Sequence, residues 1–435
     1  MSHPILDRWL VRRMGWPEIN DVPTRRQLFQ WQMARLRETL FHARTHSPFY
    51  ARLYGKTPIP DTLTTEEYAR LPMITPDDLR RSPEQFLCVS QDEIARVVTL
   101  ESSGTTGSPK RVFHTQEDLE ATKDYFDWGM RPLVEPGQTA LVLMPGGRPG
   151  GVGRLLMEAL ERTGARAVPH GVLEDARTGV NHLLEEGAAC IVGSPPHVNM
   201  LTREWERRDL PKDMIRSVLF CWDEIPDAVC FNAKNAFGCT VFRHWGMIET
   251  GLGGAVECEH GRGMHLRETD VFVEIVDPET GNLLPDGRFG EVIVSTPMRR
   301  GMPLLRYRTG DRGRILTGEC ACGSPLRRLD PLITRMHGGV PLETGTLTLS
   351  TLGKALYALP GLWDFTAWFS KNTLHIQVCG DSACPADKVR TALTNIPTVQ
   401  AALAGKTLKL AVKVRNTTTP AVPGLGKRRL LTTEP

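Results

Sequence analysis

The stretch Glu101-Ser102-Ser103-Gly104-Thr105-Thr106-Gly107-Ser108-Pro109-Lys110 constrains this chain more than any other. It follows an apolar run, Val97, Val98 and Leu100, that reads as a strand. Gly104 and Gly107 let main-chain N–H groups come close to an anion. Hydroxyls at Ser102, Ser103, Thr105 and Thr106 add donors, and Lys110 adds charge. That inventory suits a triphosphate. The spacing differs from the common GxxxxGK[ST] phosphate loop. Taken alone, a glycine-rich loop is more often a polar surface turn, so the rest of the chain decides.

A length of 435 residues allows a large core and more than one domain. The formal charge of +3 gives no case for nucleic acid or an acidic membrane surface. No apolar run reaches transmembrane length, and Met1–Arg8 lacks the apolar core of a signal peptide. Most of the 10 cysteines sit singly in apolar segments, as reduced core cysteines do, which points to the cytoplasm.

Along the chain, Leu28, Trp31, Leu36, Leu40 and Ala43 predict a helix over 24–54 that closes near Pro48. Val112-Phe113-His114 predicts a strand, and Thr115 with Asp118 predicts the cap of a following helix. Leu141–Met144, Ala165–Val168, Cys190–Val192 and Ser217–Cys221 are short apolar runs alternating with helical segments, 154–163 among them. This alternation implies an α/β domain with a largely parallel sheet. The cluster Pro145–Gly151 reads equally as a strand–helix connection or a pocket wall. Leu266–Val276 and Gly290–Thr296 read as strands, with a turn at Asp277–Asn282. From about 335 the chain reads as a small α/β domain: helices at 349–359 and 386–395, strands at 365–369, 374–378 and 407–414.

Three motifs then occur in order. Glu101–Lys110 resembles the [ST]SGTTGxPK loop of the acyl-adenylate-forming superfamily, Trp245-Gly246-Met247-Ile248-Glu249 resembles its YGxTE, and Leu305–Asp311 resembles its RYxTGD. Leu40–Tyr50 and Leu71–Leu79 look like the N-terminal region of phenylacetate–CoA ligases. The resemblance runs from about 28 to 429 and is densest from 97 to 322. It implies ATP on the 102–107 loop and Lys110, an adenine stacked on Trp245 beside Gly246, Mg²⁺ on Glu249, and ribose on Asp311. Phe220-Cys221-Trp222-Asp223-Glu224 stands where relatives have a small-residue turn bordering nucleotide and acyl group. Trp222 there either narrows the pocket or points into the core. His197, in a turn after a strand end, is the candidate acyl-group residue.

Cys258, His265, Cys320 and Cys322 have the composition of a closed structural Zn²⁺ site, with unliganded reduced cysteines as the alternative. A zinc-bearing branch of phenylacetate–CoA ligase-like proteins has the same pattern. His260 competes with His265; the resemblance favours His265, because the family's ligand follows a Gly-x step as Gly263-Met264 does here.

At the hinge, relatives carry GRxDD; Arg335 matches, but His337-Gly338 replace the acidic pair. Gly426-Lys427 resembles the family's terminal Gly-Lys step, whose lysine reaches the α-phosphate and the attacking carboxylate. The resemblance thus implies an α/β adenylation domain over 1–333, with parallel sheets, a β-rich subdomain and the zinc clip, and a small mobile α/β domain over 334–435 carrying Lys427. The implied activity is AMP-forming acid–CoA ligation of an aryl or arylacetic acid. The alternatives are transfer to a carrier thiol, or a nucleotide-binding relative that has lost catalysis. Expected partners are the small acid, ATP and CoA, with a homodimer left open and neither nucleic acid nor membrane involved.

Overall fold

The computed structural model describes residues 4–16, 22–100, 109–424, 428 and 430. The chain divides into two compact units: residues 1–132 with 244–336, and residues 133–243 with 337–435. The expected division at 333/334 separates one stretch from another, whereas these units each join two stretches: residues 1–333 contribute to both, and residues 337–435 group with 133–243.

In the first unit, Leu28, Leu36, Leu40 and Ala43 form the buried stripe of helix Arg25–His46, started by a Thr24–Gln27 capping box. The helix expected over 24–54 is two helices. Ser47 interrupts it, accepting from Tyr50 N, and Pro48 opens a second helix, Pro48–Tyr54. A further helix, Ile5–Met14, gave no sequence expectation; Trp9 Nε1 donates to Asp124 at 2.9 Å and Arg13 pairs with Asp270 at 2.7 Å. Strand Ile94–Leu100 pairs antiparallel with Lys110–Thr115, and Thr115 caps helix Gln116–Met130 with Asp118 as expected.

An antiparallel sheet has the order Phe272–Val276, Gly290–Ser295, Tyr307–Gly313, Thr334–Arg335. The strand expected over Leu266–Val276 is broken into Met264–Leu266 and Phe272–Val276. Between them Glu268 turns inward to Arg25 (2.5 Å) and Arg327 (3.0 Å), and Asp270 to Arg13 and Arg267. Buried carboxylates need such partners, and meeting them bends the chain out of the ladder.

The second unit contains the predicted parallel sheet, in the order Arg166–Pro169, Thr139–Val142, Ala188–Gly193, Ser217–Phe220 and the start of Thr240–Trp245. Helices Val152–Thr163, Ala176–Glu185, Pro195–Arg207 and Asp227–Phe237 alternate with these strands. The C-terminal segment forms the expected three-stranded sheet, Leu362–Ser370, Thr373–Gly380 and Lys409–Arg415. Helix Pro397–Ala404 and the hairpin Val340–Leu342/Gly345–Leu347 were not foreseen. Both segments of this unit share one core, in which Val198, Leu201 and Trp205 join Leu356, Leu362 and Trp363. Buried Asn199 crosses it, donating to the carbonyls of Leu362 (3.2 Å) and Trp363 (2.8 Å). Among the described residues no helix is long and apolar enough to cross a membrane.

Candidate active site

The glycine- and hydroxyl-rich loop, with Ser102, Ser103, Gly104, Thr105, Thr106 and Gly107, lies outside the described residues, as does Lys427. Lys110 is described, at the start of its strand. It brings the loop's C-terminal end to Glu249, with which its ammonium forms an ion pair. The Tyr307 hydroxyl donates to the same Glu249 oxygen at 2.9 Å and accepts from Lys110 Nζ at 3.2 Å. Three motifs distant in sequence thus meet at one carboxylate.

Glu249 sits in the short helical turn Ile248–Thr250 and is 3% exposed. Burial pushes its carboxyl up, but the Lys110 charge and the donated hydrogen bonds outweigh this and hold it below the usual range. Arg299 Nη1 fixes the turn through the Glu249 carbonyl at 3.0 Å. Only glycine fits at Gly246, because a Cβ there would stand 2.7 Å from the Leu252 carbonyl oxygen.

Strand Tyr307–Gly313 alternates buried and less buried residues, which places Tyr307 and Asp311 on one face. Asp311 accepts from Trp245 Nε1 at 3.1 Å and pairs with Arg335 at 2.9 Å. Trp245 and Asp311, expected at adenine and ribose respectively, are therefore joined directly. The Trp245 ring is 7% exposed and lies against Gly254, where a Cβ would come within 2.7 Å of it.

In the second unit, His197, Trp222 and Asp223 line one cavity together with Ser194, Gly424 and Arg428. His197 belongs to the first turn of helix Pro195–Arg207 instead of the expected turn outside a helix. Ser194 followed by two prolines is a helix-start signal, so the sequence carried this. His197 is 3% exposed, and burial with the Arg428 charge pushes it down to about 4 against the opposing pull of Asp364. Trp222 does not point into the core: it is 40% exposed, at φ +83°, a backbone conformation that favours glycine.

Arg428 and Asp364 were not singled out from the sequence. Asp364 is fully buried: its Oδ2 accepts from Arg428 (2.5 Å) and Ala421 N (2.8 Å), and its Oδ1 from Tyr357 (3.1 Å) and Phe365 N (2.8 Å). A lone acid in the apolar strand Leu362–Ser370 was the available signal.

The four predicted metal ligands converge, with ligand atoms of Cys258, His265, Cys320 and Cys322 all within 4.8 Å of one another. His260 is exposed and outside the group. Cys258 Sγ lies 3.7 Å from Cys320 Sγ, and Cys322 Sγ lies 3.4 Å from His265 Nε2. Tetrahedral Zn²⁺ bonds of about 2.3 Å to sulfur and about 2.0–2.1 Å to nitrogen require separations of about 3.8 and 3.6 Å, so the donor set fits that ion. Gly261 N–H to the Cys258 carbonyl and Gly323 N–H to the Cys320 carbonyl, both at 2.9 Å, close the two turns. The Arg328 guanidinium ties the turns together through the carbonyls of Arg262 (2.6 Å) and Gly318 (2.9 Å). Hydrogen bonds from Cys322 and His265 push the Cys258 thiol well down, and Cys322 is correspondingly raised.

Known proteins resemble this chain in sequence and in fold. A profile of the AMP-binding enzyme family matches residues 63–301. The chain is 29% identical over 361 residues to a phenylacetate–coenzyme A ligase of Thermus thermophilus, covering 80% of this chain and 79% of that protein. It is 30% identical to one from Pseudomonas putida, covering 71% and 70%. A crystal structure of 2-hydroxyisobutyryl-CoA ligase superposes with a TM-score of 0.76 at 20% identity, over 93% of this chain and 89% of that one, which establishes the shared fold. With more than half of the chain matched by the family profile, and a 30% identical relative covered over more than two thirds of both lengths, the protein belongs to the AMP-binding enzyme family.

Proposed function

We propose that the protein is an AMP-forming acid–CoA ligase whose acid is aryl or arylacetic. The observation that carries the ligase reading is the meeting of Lys110, Glu249 and Tyr307, and the class of acid rests on the likeness to phenylacetate–coenzyme A ligases. A carboxylate is a poor acyl donor because its leaving group is oxide. Its attack on the α-phosphorus of ATP forms an acyl-AMP and releases pyrophosphate, a step governed by positioning and charge stabilisation. Attack of the CoA thiolate on the mixed anhydride then forms the thioester and releases AMP.

Glu249 is the carboxylate that would hold Mg²⁺, which prefers hard oxygen ligands and supplies charge to the phosphates. Lys110 and Lys427 are assigned to the phosphates and the reacting carboxylate, Asp311 to the ribose, with Arg335 beside it. Trp245 and Gly246 border the adenine, and Asp223 the nucleotide. His197 and Trp222 bound the acyl group; at neutral pH His197 is an uncharged wall, because its pKa of about 4 leaves it unprotonated. Cys258, His265, Cys320 and Cys322 are assigned to one structural Zn²⁺: four protein ligands leave no position for water.

The test is a panel of aryl, arylacetic and short-chain acids, assayed for pyrophosphate and AMP release with and without CoA. CoA-dependent AMP release with an aryl or arylacetic acid is expected. Acid-dependent ATP–pyrophosphate exchange without CoA consumption would move the acceptor to a carrier thiol. No exchange with any acid would overturn the assignment.

A further inference from the structure

Glu249 is too buried to stand without a counter-charge, since an unpaired ion is costly to take out of water. Arg299 is spent on the Glu249 carbonyl. Burial keeps His114, on the strand Lys110–Thr115, neutral, pushed down to about 3. The balancing cation is therefore Lys110, whose side chain is 16% exposed. Its ammonium and the Tyr307 hydroxyl converge on one oxygen, Oε1. A Mg²⁺ held by this carboxylate would compete with the ammonium for its charge and repel it.

We propose that Lys110 is an exchangeable counter-ion that a divalent metal must displace from Glu249, and that Tyr307 is the positioning residue keeping the carboxylate aimed before and after the exchange. This rests on the reading of Glu249 as the metal carboxylate. Metal and polyphosphate then bind as a linked pair. The metal takes the carboxylate from Lys110, and the polyphosphate gives the freed ammonium a new anionic partner. Metal alone has to compete with Lys110 and gives it nothing in return. Tyr307 can serve both arrangements because it touches both partners: its hydroxyl bonds Glu249, and Lys110 Nζ lies 5.7 Å from its ring centre. At 1% exposure it has little freedom to turn away.

The experiment is Mn²⁺ binding to the full-length zinc-loaded protein, followed by loss of the free Mn²⁺ EPR signal, with and without ATP, using Glu249→Gln as the baseline. Without ATP, Lys110→Met should bind Mn²⁺ at least tenfold more tightly than wild type. With ATP that advantage should vanish or reverse. Lys110→Gln, which keeps a polar group, should follow the same pattern and serves if the methionine variant does not fold. Tyr307→Phe should weaken Mn²⁺–ATP binding about tenfold while the variant is still fully folded at the assay temperature, which a merely structural role would not do; an unchanged Mn²⁺–ATP affinity overturns the positioning role. Equal ATP-free affinities for wild type and both Lys110 variants, with Glu249→Gln still lowering Mn²⁺–ATP binding, overturn the exchange alone. An unchanged Mn²⁺–ATP affinity in Glu249→Gln overturns the metal assignment beneath it.

Discussion

Replacing His197 should change how stability depends on pH. In the folded chain its pKa is pushed down to about 4, whereas an exposed histidine titrates near 6.5. As pH falls through about 6.5 the unfolded chain takes up a proton that the folded chain refuses until about pH 4. Stability is therefore lost on acidification across that window and is fully present above it. Between pH 7.5 and 5.0 the linkage amounts to about 1.5 pH units at about 1.36 kcal/mol each, or about 2 kcal/mol from this one ring. The side chain is 3% exposed, so solvent screening removes little of that. His197→Gln has no such linkage. Urea unfolding of wild type and variant at pH 7.5 and 5.0 gives a double difference, expected to be about 2 kcal/mol smaller acid loss in the variant. A double difference under about 0.5 kcal/mol would refute the reasoning, because the folded state would then accept the proton at little cost.

Lys427→Ala should slow adenylation by about 10²–10³, the cost of one transition-state charge contact, and spare thioester formation from supplied acyl-AMP; equal losses in both half-reactions would remove the role. The purified protein should hold about one Zn²⁺, measured by elemental analysis, and Cys320→Ser should lower the melting temperature without selectively affecting either half-reaction. Arg306, 2% exposed, pairs with Glu274 at 3.2 Å and donates to the Leu71 carbonyl at 2.7 Å, so Arg306→Met should cost about 3–5 kcal/mol in urea unfolding. Adding Glu274→Gln should restore part of that loss by removing the stranded charge.

The grouping of Cys258, His265, Cys320 and Cys322 was legible through the resemblance to a zinc-bearing branch; residue type and spacing alone left reduced cysteines and His260 open. The parallel sheet was legible because apolar runs alternate with helical segments. Tyr307 was overlooked although the two-residue period of its strand sets it on the same face as Asp311. The break at Arg267–Asp270 was not legible, since alternation read through it and its cause lies in partners as distant as Arg13, Arg25 and Arg327. The pairing of Trp245 with Asp311 was hidden for the same reason: the sequence presents an aromatic face and an acid in separate motifs, and only the fold joins them.

Each unit is assembled from two stretches separated by the other unit's chain, and this sets an order of events on the ribosome. Residues 1–132 cannot complete their core until residues 244–336 exist, and the Ser324 hydroxyl must find Asp7 across 317 positions. At about 5–20 residues per second, the buried face of helix Arg25–His46 waits on the order of 10–40 s for its cover. The other unit closes later still, because Leu430 belongs to its core. Slower translation lengthens that exposure, so the yield of folded protein should respond to chaperones that shield apolar surface, and lowering the synthesis rate should not improve it.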